Sequence, residues 1–309
     1  MNNSINNNSS EVDIASLQKL LRQQAQRRQL YENIAILGCG YVGSALAACW
    51  QEQGHFVTGT TTRQERVTLL QPLLSKVVPM TGDNPNAVQS LLQGQDTVVV
   101  SVAPTGSLVA DEATYEKTYL ATARNLIQAL QQTPSVKRVI YLSSCAVYGD
   151  RQGEWVDENT SIAPIELRSQ ILYKAEQIIS QANSEEQRVC ILRLGGIYGP
   201  GRELVGMLGG MAGMTLPGRG DRVINWSHRD DIVGAIEFAR LNELQGIYNL
   251  VDDSQLTIKE QIERICSRYG LPSLHWEHSR FSLPGKSVRV SNHKLKATGY
   301  QLIHPQSVV

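Results

Sequence analysis

Residues 33–47 read NIAILGCGYVGSALA, an apolar run, a glycine cluster and a second apolar run of different period. Ile34–Leu37 suits a buried strand, and beyond the cluster the apolar residues recur at the spacing of one helix face. Gly38, Gly40 and Gly43 fill the junction in G-x-G-x-x-G order. The first glycine permits a tight turn, the second lets backbone approach a pyrophosphate, and the third allows close packing of a helix whose N-terminus is partially positive. A strand that feeds such a loop into a helix opens a dinucleotide-binding unit. Gly38, Cys39, Gly40, Tyr41, Val42 and Gly43 are therefore the first cofactor-binding candidates.

Outward from this stretch, short apolar runs alternate with helical segments: HFVTG (55–59), KVVPM (76–80), DTVVVSVAP (96–104), RVIYLSS (138–144), VCILRLGGIYG (189–199) and GIYNLVD (246–252). Continuous apolar strands separated by helices indicate a parallel sheet covered on both faces. The expected fold is α/β, a doubly wound parallel sheet of the Rossmann type with a small C-terminal substrate-side region, its ligands lying beyond the carboxyl ends of the strands. Residues 31–200 form the expected NAD(P)-binding core. Residues 201–309 supply the remaining core elements and the substrate-side lobe, with 223–251 returning to the core. Within them, 199–222 is rich in glycine and carries Met207, Met211 and Met214, which reads as a mobile, adaptable segment rather than a sheet element. A helix is expected over 257–269.

The second strand bears on cofactor choice. An NAD site usually ends it with a carboxylate for the ribose 2′-hydroxyl, whereas VTGTTTRQER (57–66) places Thr61, Thr62, Arg63 and Arg66 there. A guanidinium can pair with a 2′-phosphate, so NADP is the expected cofactor, with NAD the alternative. Lysine plus arginine equals aspartate plus glutamate at 29 each, which leaves no field to draw in nucleic acid or an anionic membrane. A small molecule is the expected partner.

The five cysteines, at 39, 49, 145, 190 and 266, have no ligand-like spacing and read as reduced thiols of a cytoplasmic protein. No run reaches the roughly 18 apolar residues of a membrane span. The polar residues 1–30 read as a disordered or partly helical extension, and 12–31 either docks loosely or binds a protein partner. No metal is expected: His275 and His278 flank Trp276 and Glu277 without a third ligand.

SSCAVYGD (143–150), LRLGGIYGPGR (192–202), INWSHRDDIVGAI (224–236), IYNLVDD (247–253) and SNHKLKATGYQLIHP (291–305) follow the glycine loop in order. This series resembles the extended short-chain dehydrogenase/reductases of the nucleotide-sugar epimerase/dehydratase group, over about residues 33–304, and within it an atypical, epimerase-like subgroup. The resemblance implies cofactor contacts from Val102, Ala103 and Pro104, from Leu142 and Ser143, and from Leu194, Gly195, Gly196 and Ile197. It places Tyr198, Arg202, Arg219, Arg222 and His228 on the substrate side, where arginines would grip a phosphate or acid and His228 either acts as a base or organises a loop. Asp231 fits a helix start and reads as structural.

Such enzymes use a serine after the fifth strand and a Tyr-x-x-x-Lys pair on the next helix, the tyrosine being the acid/base and the lysine lowering its pKa. Ser144 matches the serine. Anchoring the helix on Ala175, Glu176 and Gln177 puts Arg168 at the tyrosine position and Leu172 at the lysine position, so both catalytic side chains are absent. The adjacent Tyr173 and Lys174 do not replace them. Leu167, Ile171, Ala175, Ile178 and Ile179 make the expected core stripe, and Tyr173 and Lys174 point elsewhere. Replacement candidates are Tyr148, as acid/base, substrate contact or packing residue, and Arg168, either a fixed cation for an anionic substrate or oxyanion or a solvated helix residue. Cys145 reads as a small buried side chain. Two functions follow: an oxidoreductase or epimerase-like enzyme acting on a sugar nucleotide or similar small polar metabolite, or a catalytically weak NADP(H)-binding sensor or assembly factor.

Overall fold

A computed structural model describes residues 31–104, 110–162, 164–277 and 285–307. The extension 1–30, and with it nearly all of the 12–31 stretch considered for partner binding, lies outside the described residues, as does His278.

Among the described residues seven strands make one sheet: β1 (Asn33–Leu37), β2 (Phe56–Thr61), β3 (Lys76–Pro79), β4 (Thr97–Val100), β5 (Arg138–Ser144), β6 (Arg188–Leu194) and β7 (Gly246–Leu250). Every neighbouring pair is parallel, in the order β7-β6-β5-β4-β1-β2-β3. The chain starts mid-sheet, winds to one edge and then to the other. The order therefore reverses between β1 and β4, and a crevice opens at their carboxyl ends. This is the doubly wound sheet that the apolar runs imply.

Helices cover both faces: α1 (Tyr41–Glu52), α2 (Pro85–Leu92), α3 (Thr122–Leu130), α4 (Leu167–Ser180), α5 (Arg229–Leu241) and α6 (Ile258–Tyr269). Leu46 and Trp50 of α1 meet Ile232 and Ile236 of α5 over one face, and Leu92, Leu126, Ile171 and Ile179 pack on the other. Strands sandwiched this way must be apolar throughout, and all four residues of β4 are buried. Trp50 is a full-size anchor whose Nε1 still finds a partner, donating to Glu237 Oε2 at 2.7 Å and tying α1 to α5. Leu167, assigned to the core stripe of α4, is 39% exposed; the stripe begins one turn later, at Ile171.

α6 starts where expected, on a reciprocal cap in which Thr257 accepts from the Glu260 amide and the Glu260 carboxylate accepts from the Thr257 amide. Against it lies a correction. The 199–222 segment is not free of sheet: Leu204–Leu208 is helical, and Thr215–Pro217 pairs in parallel with His275–Glu277. Leu204 and Leu208 bury themselves with Ile258, Ile262 and Ile265. The glycines dilute the apolar pattern without abolishing it, and α6 supplies the missing face.

Candidate functional site

The glycine turn is built by close backbone approach. Gly38 has φ +100°, and a Cβ there would fall 2.5 Å from the Ser101 carbonyl oxygen at the end of β4. Its N–H donates to Thr60 Oγ1 at 2.8 Å. A Cβ on Gly43 would lie 2.2 Å from Gly38 O, so helix and turn touch with no room for a side chain. Gly40 is the N-cap of α1 and its Cα faces open space, where an anion can meet the free amides of the helix start.

From this turn a cleft of about 580 Å³ runs along the carboxyl edge of the sheet. Gly38 to Val42 form its floor. Thr60 to Arg63 and Arg66 border one end, Ser101 to Pro104 the middle, and Leu142 to Ser144, Leu194, Gly195 and Ile197 the other end. Of the candidate cofactor residues, Gly43 and Gly196 are not part of the lining: Gly43 is packed under the turn, and Gly196 stands outside it. Arg63 is exposed, with only a 3.8 Å approach from Glu65, and its backbone is held by Thr61 Oγ1, 3.2 Å from its amide. Asp83, Lys117 and Tyr119 are among the lining residues that sequence reading missed. Asp83 and Lys117 face one another at 3.3 Å. Tyr119 enters from a π-helical turn, Glu116–Ala121, of the kind that often marks functional positions.

At the end of β5, Ser144 borders the cleft and its hydroxyl accepts from the Ala146 amide at 3.1 Å. Leu172, at the lysine position, borders it too. Beneath them runs a buried polar chain. Arg193 Nη2 donates to Glu176 Oε2 at 2.7 Å, and its Nε to Oε1 at 3.1 Å. The Ser143 hydroxyl donates to Glu176 Oε1 at 2.5 Å. Tyr148 closes the chain: its hydroxyl donates to Asn249 Oδ1 at 2.8 Å and accepts from Arg193 Nη1 at 3.0 Å.

These contacts remove Tyr148 and Arg168 as catalytic candidates and agree with the readings of Tyr173, Lys174 and Cys145. Tyr148 is 2% exposed, both sides of its oxygen are taken, and burial pushes its pKa up to about 12, so its phenol does not face a substrate. Arg168 is not among the cleft-lining residues, and its Cζ lies 5.3 Å from the Tyr115 ring centre. Lys174 is exposed, Tyr173 packs partly against the cluster that holds Val147 and Val288, and neither lines the cleft. Lys286 approaches α4 but is held by Glu166 at 2.8 Å and by Ser169 Oγ at 2.7 Å. Cys145 is buried, its thiol pushed up by burial, which leaves no reactive thiolate.

The substrate-side candidates disperse. Arg202 borders the cleft. Arg219 is exposed, and Arg222 belongs to a separate cavity of about 310 Å³ beside Trp276 and Arg289. Tyr198 is buried, edge-on to Trp226 and His228. His228 caps α5, its Nδ1 accepting from the Asp230 amide at 3.2 Å, and burial with nearby His304 lowers its pKa and keeps it neutral. His228, Asp230 and His304 place ligand-type atoms within 4.8 Å of one another, a trio that spacing around His275 does not reveal. The cap already engages His228 Nδ1, so that lone pair is not free for an ion. Asp231 is buried and receives the Ile303 amide at 2.5 Å and the His304 amide, pinning the C-terminal segment.

The sequence model of the NAD dependent epimerase/dehydratase family matches residues 34–250, from the first strand through the last. The chain belongs to that family. Protein YeeZ of Escherichia coli K12 is 27% identical over 287 residues, covering 90% of this chain and 98% of its own. A functionally unknown conserved protein from Silicibacter pomeroyi has a TM-score of 0.72 at 25% identity, over 89% of this chain and 95% of that one. The human epimerase family protein SDR39U1, solved with NADPH, shares the fold with a TM-score of 0.72 at 20% identity, over 89% and 96%. This family member therefore carries a nicotinamide dinucleotide site on its doubly wound sheet, and among its described residues no helix is long and apolar enough to cross a membrane.

Proposed function

We propose that the protein is an NADP(H)-dependent oxidoreductase or epimerase-like enzyme acting on a small polar metabolite that carries phosphate or a nucleotide. The observation that carries this reading is the single cleft in which Arg63 and Arg66 stand at the end of β2 without a carboxylate at the strand terminus, while Ser144 stands at the opposite end. The first arrangement suits a 2′-phosphate. The second supplies a hydroxyl where a substrate oxygen would meet the nicotinamide. A protein of the same fold is solved with NADPH, so the architecture accommodates that cofactor.

Two measurements test it. Calorimetric titration is expected to give NADPH about ten to a hundredfold tighter binding than NADH, the value of one charge-assisted contact. The Arg63→Ala, Arg66→Ala double variant loses that preference while keeping its NADH affinity. Clearly tighter NADH binding in the parent chain would refute the assignment. For chemistry, NADPH consumption is followed across ketones and sugar nucleotides, and Ser144→Ala should slow turnover about a hundredfold, as when an oxyanion donor is removed.

A second reading, a cofactor-loaded sensor or assembly factor with weak or no catalysis, is favoured by one observation: Arg168 and Leu172 replace the acid/base pair, and Arg168 stands outside the cleft. Tight NADPH binding with no turnover across the whole panel would select it.

A further inference from the structure

We infer that Arg202, expected on the substrate side, is a ligand of the cofactor diphosphate, reaching the glycine turn from the Gly199–Arg202 loop. The inference rests on the reading that the cleft holds a pyridine dinucleotide.

The loop is fastened to the glycine turn by Tyr41, the residue after Gly40. Its hydroxyl donates to the Pro200 carbonyl at 3.0 Å, and a Cβ on Gly199, where φ is +140°, would come within 3.1 Å of that same oxygen. Paired backbone hydrogen bonds between Gly199 and Arg202, at 3.2 and 2.8 Å, fold the loop back on itself. The result sets two guanidinium groups near the Tyr41 ring, Arg229 at 5.2 Å and Arg202 at 5.8 Å from its centre.

The two arginines are not equivalent. Arg229 is 3.6 Å from the Asp230 carboxylate, and its Nη1 donates to Pro200 O. Arg202 has no carboxylate partner among the described residues: neighbouring Glu203 instead accepts from the Gly201 amide at 2.7 Å. Arg202 also borders the same cleft as Gly40 and Tyr41, whereas Arg229 does not.

The chemistry of the ligand asks for this cation. A diphosphate seated on the start of α1 meets backbone amides and the helix dipole, equivalent to only about half a charge. No side-chain cation lies within the glycine turn itself. Arg63 and Arg66 belong to the end of β2, and Lys117 already faces Asp83. A guanidinium presents a planar fork that matches phosphate oxygens, and resting against an aromatic face keeps it ordered before the anion arrives.

The test uses the full chain, as parent, Arg202→Ala and Arg202→Lys, titrated calorimetrically with NADPH, NADH and adenosine 2′-monophosphate, which lacks the diphosphate. Arg202→Ala should weaken NADPH and NADH alike by about ten to a hundredfold, lysine should recover part of the loss, and adenosine 2′-monophosphate should bind all three proteins equally. Unchanged dinucleotide affinity in Arg202→Ala, with tight binding by the parent, would overturn the assignment of Arg202 and leave the cofactor reading standing. Equal weakening of adenosine 2′-monophosphate would overturn it as well, since the effect would then not be local to the diphosphate. A parent chain that binds no pyridine nucleotide would overturn the cofactor reading, and Arg202's role with it.

Discussion

Glu176→Ala is expected to cost about 3–5 kcal/mol of unfolding free energy, the usual penalty for stranding a buried charge. Glu176 and Arg193 are only 1% exposed each, and the carboxylate receives two guanidinium nitrogens and the Ser143 hydroxyl. Removing it leaves Arg193 charged in a dry interior, because the guanidinium does not lose its proton. The pair is not for that reason a large source of stability, since desolvating both ions offsets most of their attraction. The double variant Glu176→Leu, Arg193→Met should accordingly recover most of what the single change loses. Urea denaturation of the parent, Glu176→Ala and the double variant gives the numbers, and a single-variant loss under about 1 kcal/mol would show that water reaches the pair. Ser143 and Leu194, adjacent to the two ions in space or sequence, border the cleft, so weaker cofactor binding should accompany the loss of stability.

The glycine turn and the alternation of strands and helices were legible because both are local signals. Gly38 and Gly43 answer steric demands that can be read from spacing, and β4 is apolar at every position because both its faces are covered. Charge at the end of β2 was legible for the same reason. Tyr148 was not: four residues after Ser144 it belongs to the same motif, but its phenol is fixed by Arg193, from β6, and Asn249, from β7. Only the assembled sheet brings those two strands to the turn after β5. Arg168, which the resemblance sets at the tyrosine position, rests its side chain on Tyr115, a residue some fifty positions upstream that no helical pattern could pair with it. Asp83, Lys117 and Tyr119 reach the cleft from a strand-end loop and a π-turn, neither of which has a periodicity to read. The same holds for Arg202, whose place beside the glycine turn depends on a hydrogen bond between Tyr41 and Pro200, far apart in the chain.

Asp252→Asn should stabilise the protein at alkaline pH and progressively less as pH falls. Asp252 follows β7 and is 3% exposed. One carboxylate oxygen accepts from the Ser254 amide at 3.1 Å, whereas Oδ2 is buried without a hydrogen-bond partner among the described residues. Burial, with Asp253 and Asp231 adding repulsion, raises its pKa from 3.8 to about 7. The folded chain therefore holds a proton that the unfolded chain releases near pH 4, and stability falls as pH rises from there to about 7. At 1.36 kcal/mol per pKa unit, the cost of the ionised group approaches about 4 kcal/mol above pH 7 and disappears below pH ~4. Asparagine keeps the Ser254 contact and never ionises, although its amide hydrogens also lack a ready acceptor, which reduces the gain by about 1–3 kcal/mol. That reduction does not depend on pH. The discriminating quantity is thus the difference between conditions: the stability of the variant relative to the parent should be about 2–3 kcal/mol more favourable at pH 8 than at pH 5. Equal differences at the two pH values would mean that Asp252 ionises normally in the folded protein, with water at its second oxygen.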